Sequence, residues 1–347
     1  MRYFHNDYNE MCHSAVMEKL QQIQSEAHPG YSEDDCCRKA AATIRKLCGA
    51  ENLAVHFLVG GTQTNLTVIA AALRPHHAVI GAESAHINVH ETGAIEATGH
   101  KVIALPSDNG KITAQQIRSL VTSHNGDADH EHIAKPKMVY LSNSTELGTI
   151  YSLAELEQIS DVCKKQGLFL FIDGARLGYA LTAEDNDVSL EDLARLSDVF
   201  YIGGTKCGTM FGEAVVISNP AIAEDFRYLI KQRGGMLAKG WLLGAQFQSL
   251  LENGLYWNIC RHANQMADQI RHTLKIAGYP LLVSGTTNQI FPILPDTVLE
   301  KLGTEFTFNE MERVDQTHRA VRFCTSWASR QEDVDALCEA LKNLQII

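Results

Sequence analysis

No apolar run in this 347-residue chain approaches the roughly 18 residues that a membrane-spanning helix needs, so no membrane partner is expected. The start of the chain carries Arg2, His5, Asn6 and Asp7 in place of an apolar stretch, and a secretory leader is not expected either. Long basic runs are missing, and a formal net charge of −11 argues against a nucleic-acid surface. The pattern G-x-G-x-x-G is absent, which counts against a dinucleotide-binding oxidoreductase. Cysteine offers no framework. Nine is an odd number, adjacent Cys36 and Cys37 lack zinc-site spacing, and the expectation is free thiols in a reducing cytoplasm. His124 to His132 has loop composition without fixed ligand spacing, so no metal is expected.

The composition that remains is that of a globular enzyme, with 45% hydrophobic and 20% charged residues. The length exceeds what one core usually supports, and two domains are expected, residues 1–240 and 241–347. In the first, short apolar runs alternate with helical patterns: Ala78–Gly81, Val102–Leu105, Met138–Leu141, the run ending at Asp173, the run ending at Gly203 and Glu213–Ser218. This alternation predicts an α/β fold with a mostly parallel sheet and helices on both faces. Helices are expected over Glu83–Ala97, Ala114–Val121, the segment from Ser152 to Gly167 and Ala221–Lys231. The segment at Ser152 opens with a capping box completed by Glu155. From Trp241 the pattern becomes one long helical region reaching Ile276, then strands Leu281–Val283, Gln289–Leu294 and Val321–Trp327. A terminal helix capped by Ser329 and Glu332 completes a smaller α+β domain.

Two stretches carry the chemistry. Leu168–Leu181 is an apolar run that stops on Asp173, with Gly174 and Arg176 directly after it; Asp198–Gly208 is a second run that ends in a Gly pair before Thr205 and Lys206. Strands without polar alternation are covered on both faces, and in open α/β sheets ligands bind beyond the carboxyl ends of such strands. A carboxylate on one strand end and a lysine on a nearby one match pyridoxal 5'-phosphate (PLP) chemistry, in which the lysine forms the Schiff base and the acid partners the pyridinium nitrogen. Gly60, Gly61 and Thr62 open a helix whose free N–H groups suit a phosphate, although a plain strand-to-helix turn reads equally well. His86 lies at another strand-to-helix junction, as a packing or a functional residue. Arg322 reads either as a carboxylate fork or as an ordinary salt bridge, and the Asn6–Asp7 patch by itself as a frayed terminus.

Together Gly60-Gly61-Thr62-Gln63-x-Asn65, Ala85-His86-Ile87-Asn88, Asp173-Gly174-Ala175-Arg176, Lys206-Cys207-Gly208 and Val321-Arg322 resemble the threonine aldolase / β-eliminating lyase family of PLP enzymes. The resemblance covers nearly the whole chain. It implies the fold type I of aspartate aminotransferase, Lys206 as the Schiff-base lysine, Asp173 on the pyridinium and His86 stacked on the ring. It further implies that Gly61 and Thr62 hold the phosphate, that Arg176 and Arg322 hold the substrate carboxylate, and that Asn6 and Asp7 lie near the substrate. Assembly as a homodimer or homotetramer with shared active sites also follows from it, with Lys231 or Arg233 reaching a neighbour's phosphate. One position departs from the family: Glu146 stands where a histidine commonly meets the β-hydroxyl. The implied reaction is cleavage of L-threonine or L-allo-threonine to glycine and acetaldehyde. β-Elimination or transamination, a nicotinamide oxidoreductase and a non-catalytic binder are the alternatives.

Overall fold

A computed structural model describes residues 1–344. Its centre is a seven-stranded sheet of β1 (Ala54–Leu58), β2 (His77–Ala82), β3 (Lys101–Leu105), β4 (Lys135–Ser142), β5 (Phe169–Asp173), β6 (Val199–Gly203) and β7 (Glu213–Ile217). The order across the sheet is β1-β7-β6-β5-β4-β2-β3. β7 runs antiparallel to both neighbours, and every other pairing is parallel. β2, β6 and β7 are buried along their whole length, as strands covered on both faces must be. Helices α1 (Gly61–Ala72) and α2 (Leu153–Gln166) return the chain between strands. The expected capping box at Ser152 and Glu155 is present, and α2 ends at Gly167 with φ +65°.

The second layer of structure is a four-stranded antiparallel sheet, ordered β10 (Asn309–Arg313), β11 (His318–Cys324), β9 (Gln289–Pro295) and β8 (Leu281–Val283). It has its own apolar core, in which Ile290, Leu294, Val321 and Phe323 pack with Phe4 from the start of the chain. Helix α3 (Trp241–Leu251) lays Leu243, Phe247 and Leu250 on the core of the large sheet. Helix α4 (Leu255–Ile276) gives Ile259, Cys260 and Ala263 to that core, and Met266, Ile270 and Leu274 to the other. The two cores therefore hand over inside α4, downstream of residue 240.

Several boundaries differ from the sequence reading. The long helix expected from Trp241 to Ile276 is broken at Asn253 and Gly254, both in the left-handed region at φ +55° and +71°. The helix expected over Glu83–Ala97 keeps only one turn at His86–Val89, because Thr92 and Gly93 take φ of +52° and +70°. Ala221–Lys231 is split at Asp225, φ +57°. Helix α5 (Gln331–Asn343) starts after Arg330 without a side-chain cap, since the Ser329 hydroxyl instead accepts the Ser326 N–H at 2.8 Å. All nine cysteines are free thiols.

The closest backbone approach outside the site is where α3 crosses Asp35–Leu47. A Cβ on Gly244 would come within 2.5 Å of the Cys37 backbone. Gly244→Ala should therefore destabilise the fold by about 1–3 kcal/mol, the usual cost of overpacking. Thermal unfolding checks this, and an unchanged midpoint would contradict the assigned crossing.

Candidate active site

The site lies beyond the carboxyl ends of β4, β5 and β6, and its fixed point is Asp173. That carboxylate is buried at the end of β5 and receives four donors: the hydroxyl of Tyr140, that of Tyr201 at 2.5 Å, the Asn65 side-chain amide at 3.0 Å and the Ala175 N–H at 2.9 Å. These donors reach both oxygens and fix the orientation of the carboxylate. The two tyrosines come from β4 and β6, the strands on either side. Gly174 is obligatory here, since a Cβ would sit 1.8 Å from the Tyr201 carbonyl oxygen.

Asn65 ties this carboxylate to the rest of the site. It lies one helical turn into α1, about 6 Å along the axis from Gly61. Its amide also donates to Glu91 Oε1 at 2.7 Å, and the same oxygen meets His86 Nδ1 at 2.8 Å. With Nδ1–H directed at a carboxylate, a neutral His86 ring presents Nε2 as the acceptor. At the start of α1 the Gly60 cap makes no side-chain bond, nothing stands within 4 Å of a Cβ built there, and Thr62 is exposed. This leaves an uncapped helix N-terminus suited to an anion.

Lys206 follows β6 in a tight turn, and its carbonyl accepts the Tyr179 hydroxyl. Burial, followed by the charge of Arg176, pushes its amine below the ordinary lysine range against the opposing carboxylates of Asp7, Asp173 and Glu213. A lowered lysine is a better nucleophile near neutral pH. Glu146 accepts the Ser142 hydroxyl at 2.6 Å and the His86 N–H at 2.9 Å on one oxygen. Burial raises its carboxyl above the usual range.

The start of the chain threads between the two arginines. Asp7 has no exposed surface and grips Arg176 with two bonds, Nε at 2.7 Å and Nη2 at 3.0 Å, while the Asn288 amide donates to it at 2.9 Å. Asp7 thus serves Arg176 as its counter-ion, because a buried guanidinium needs a partner. Asn6 accepts the Tyr8 N–H at 2.9 Å. Arg322 donates to Gln289 Oε1 at 3.2 Å and the His5 carbonyl at 3.0 Å, while its buried Nε has no partner among the described residues. Lys231 lies over the Tyr31 ring at 5.2 Å; the Arg233 carbonyl is held by Gln63 at 3.1 Å, beside the start of α1.

Glu91, Tyr140 and Tyr201 were missing from the sequence reading. A tyrosine inside a fully buried strand needs a partner for its hydroxyl, and that was the available signal for the last two. His90 was missed as well; its ring lies 5.5 Å from that of His86, and burial followed by the charges of His86, Arg322, Lys206 and Arg176 lowers it. A cavity of about 300 Å³ lined by Tyr31, Arg38, His56 and Arg227 lies elsewhere and contains none of the residues named for this site.

A profile of the β-eliminating lyase family matches residues 12–296. The chain belongs to this family. It is 32% identical over 302 residues to a low-specificity L-threonine aldolase of Pseudomonas sp., covering 86% of this chain and 85% of that one. A Pseudomonas aeruginosa protein of the same description is 29% identical, with 96% of each chain covered. A solved structure of Leishmania major threonine aldolase superposes over the whole of both chains with a TM-score of 0.97 and 44% identity. Thermus thermophilus aspartate aminotransferase shares the fold at a TM-score of 0.72 and 13% identity. The protein is thus a fold type I, PLP-dependent lyase. Its residues fit that cofactor: the open helix N-terminus at Gly60–Thr62 suits the phosphate, Asp173 suits a protonated ring nitrogen, and Lys206 has a depressed amine.

The Asp7–Arg176 pair carries a pH prediction. Burial opposes ionisation of Asp7, yet the charges of Arg176 and Lys206 and the bonds from Arg176 and Asn288 bring it down to about 2. A carboxyl depressed in the folded state adds stability that is present above the unfolded value of about 3.9 and is lost as pH falls toward the folded one. Asp7→Asn should therefore be less stable than the parent by about 2–3 kcal/mol at pH 7, with the gap narrowing between about pH 4 and 2. Urea unfolding at stepped pH measures it, and a gap independent of pH would refute it.

Proposed function

We propose that this lyase cleaves the Cα–Cβ bond of β-hydroxy-α-amino acids, with L-threonine and L-allo-threonine giving glycine and acetaldehyde. The carrying observation is the 2.9 Å bond from the His86 backbone N–H to Glu146, which fixes this buried carboxylate beyond the end of β4, at the start of the turn that carries the His86 ring. Relatives named threonine aldolase support the same substrate class.

Bound PLP supplies an electron sink for the pair released when the Cα–Cβ bond breaks. Lys206 Nζ holds the cofactor at rest and returns a proton to Cα after cleavage. Gly60, Gly61 and Thr62 would hold its phosphate at the start of α1, Asp173 would hold the ring nitrogen, and His86 would pack against the ring. The unpartnered Nε of Arg322 takes the substrate carboxylate together with the remaining edge of Arg176, whose other edge Asp7 occupies. Asn6 and Asp7 thus contribute by placing the N-terminal segment that frames this carboxylate site. Glu146 accepts the β-hydroxyl proton, either directly or with His86, and its raised proton affinity suits that step.

The same raised affinity favours a second reading. A protonated Glu146 would donate to the β-hydroxyl as it leaves as water while Lys206 takes the Cα proton, and hydrolysis of the resulting enamine would give ammonia and a keto acid. We also place the protein in the cytoplasm as a homodimer or homotetramer, with residues 1–240 holding the cofactor and 241–347 closing over the substrate. In that assembly Lys231 or Arg233 reaches the neighbouring phosphate, and sedimentation with and without Arg233→Ala tests it.

Incubation with L-allo-threonine should release glycine and acetaldehyde in equal amounts. Lys206→Ala should form no glycine and hold no covalently bound chromophore, and Glu146→Gln should lower kcat by about 100-fold. Ammonia and keto acid in place of glycine would replace the aldolase reading with the elimination one.

A further inference from the structure

At the cofactor end of the sheet, a buried carboxylate remains without a part in the reaction described above. Glu213 opens β7, pairing with Leu58 on β1 and with Gly203 on β6 at the cofactor end of the sheet. It is only 3% exposed. Glutamate is seldom buried so fully unless something answers its charge. Its carboxylate accepts the Gly204 N–H at 3.1 Å, two residues before Lys206, with the Thr205 side chain close by. The Thr205 oxygen in turn accepts the Gly212 N–H at 3.0 Å. The Gly212 carbonyl takes the Gly204 and Thr205 N–H groups at 3.0 and 3.1 Å. Tyr256 clamps the Gly203 carbonyl at 2.8 Å and Tyr179 clamps that of Lys206. The lysine therefore leaves a turn that is pinned on both sides, with a carboxylate packed beneath it.

We propose that Glu213 is a positioning residue that fixes the Gly204–Lys206 turn and sets the proton affinity of the Lys206 nitrogen. This rests on the reading of Lys206 as the cofactor lysine. The charged and titratable groups around Glu213 are Lys206, Asp173 and the hydroxyls of Tyr201 and Tyr256. Lys206 is the cation among them. Burial is the main influence on Glu213 and raises its proton affinity, against the Gly204 hydrogen bond and the Lys206 charge. As an anion it stabilises a proton on the Lys206 nitrogen and delays its loss. Glu213 thereby keeps the lysine nitrogen protonated over a wider pH range than Asp173 and Asp7 alone would.

The test is a pH titration of absorbance in PLP-loaded protein, comparing wild type with Glu213→Gln, which retains an acceptor for Gly204 but has no charge. The midpoint of the chromophore transition should fall by about one pH unit, a tenfold loss of proton affinity. In apoprotein, the pH dependence of the rate of PLP capture should shift in the same direction. Glu213→Asp should move the midpoint back toward wild type. Infrared spectra provide a second reading: a buried carboxyl C=O band should disappear in step with the chromophore change in wild type and be missing from Glu213→Gln, which separates it from that of Glu146. An unshifted midpoint in folded Glu213→Gln, or the absence of any titrating carboxyl band, overturns the proposal. A wild type that takes up no PLP would instead remove the cofactor reading of Lys206 on which the proposal stands.

Discussion

The carboxylate of Asp173 is the constraint on which the rest of the site depends. A buried anion that must meet a cofactor nitrogen has to be held in one place, and hydrogen bonds within a low-dielectric interior do that most firmly when all are satisfied. Here the holders come from four separate pieces of chain: Tyr140 on β4, Tyr201 on β6, Asn65 on α1 and the backbone of Ala175. Each belongs to an element that also forms another part of the site. β4 leads to Glu146, β6 leads to Lys206, and α1 begins at Gly61 with the open N-terminus proposed for the phosphate. Fixing Asp173 therefore fixes the relative placement of the phosphate end, the lysine and the proton acceptors.

Asn65 is the hinge of that arrangement. Its single amide nitrogen joins Asp173 to Glu91, and through Glu91 to His86, whose own N–H fixes Glu146. The chain from Asp173 to Glu146 is continuous. A change at any member disturbs both ends, because buried partners left unmatched cost about 1–3 kcal/mol each. A second, independent brace comes from the start of the chain, where Asp7 and the His5 carbonyl hold Arg176 and Arg322.

The strand ends that carry Asp173 and Lys206 were legible because a parallel sheet leaves an unmistakable trace: apolar runs of five or six residues, each halted by a polar or glycine residue. Asp173, Lys206 and the glycines around them could be named from that trace alone. The tyrosines could not, since in a sequence Tyr140 and Tyr201 look like any other large core residue, and only the fold brings both hydroxyls to one carboxylate. Asp7 illustrates the reverse case: a polar patch at the start of a chain resembles a fraying end, yet a buried arginine 169 positions away captures it. The helix expected over Glu83–Ala97 failed for a local reason. Its apolar spacing is sound, but Thr92-Gly93 adopts left-handed backbone that no helix continues through.

The most direct test of the central claim looks at the atom Asp173 is held to meet. Loading the protein with PLP labelled with ¹⁵N at the ring and recording its nitrogen chemical shift reports whether that nitrogen carries a proton. A pyridinium shift that persists well above neutral pH, and that moves to the neutral pyridine position in Asp173→Asn, is the expected result. A neutral pyridine shift in the wild-type protein would contradict the account.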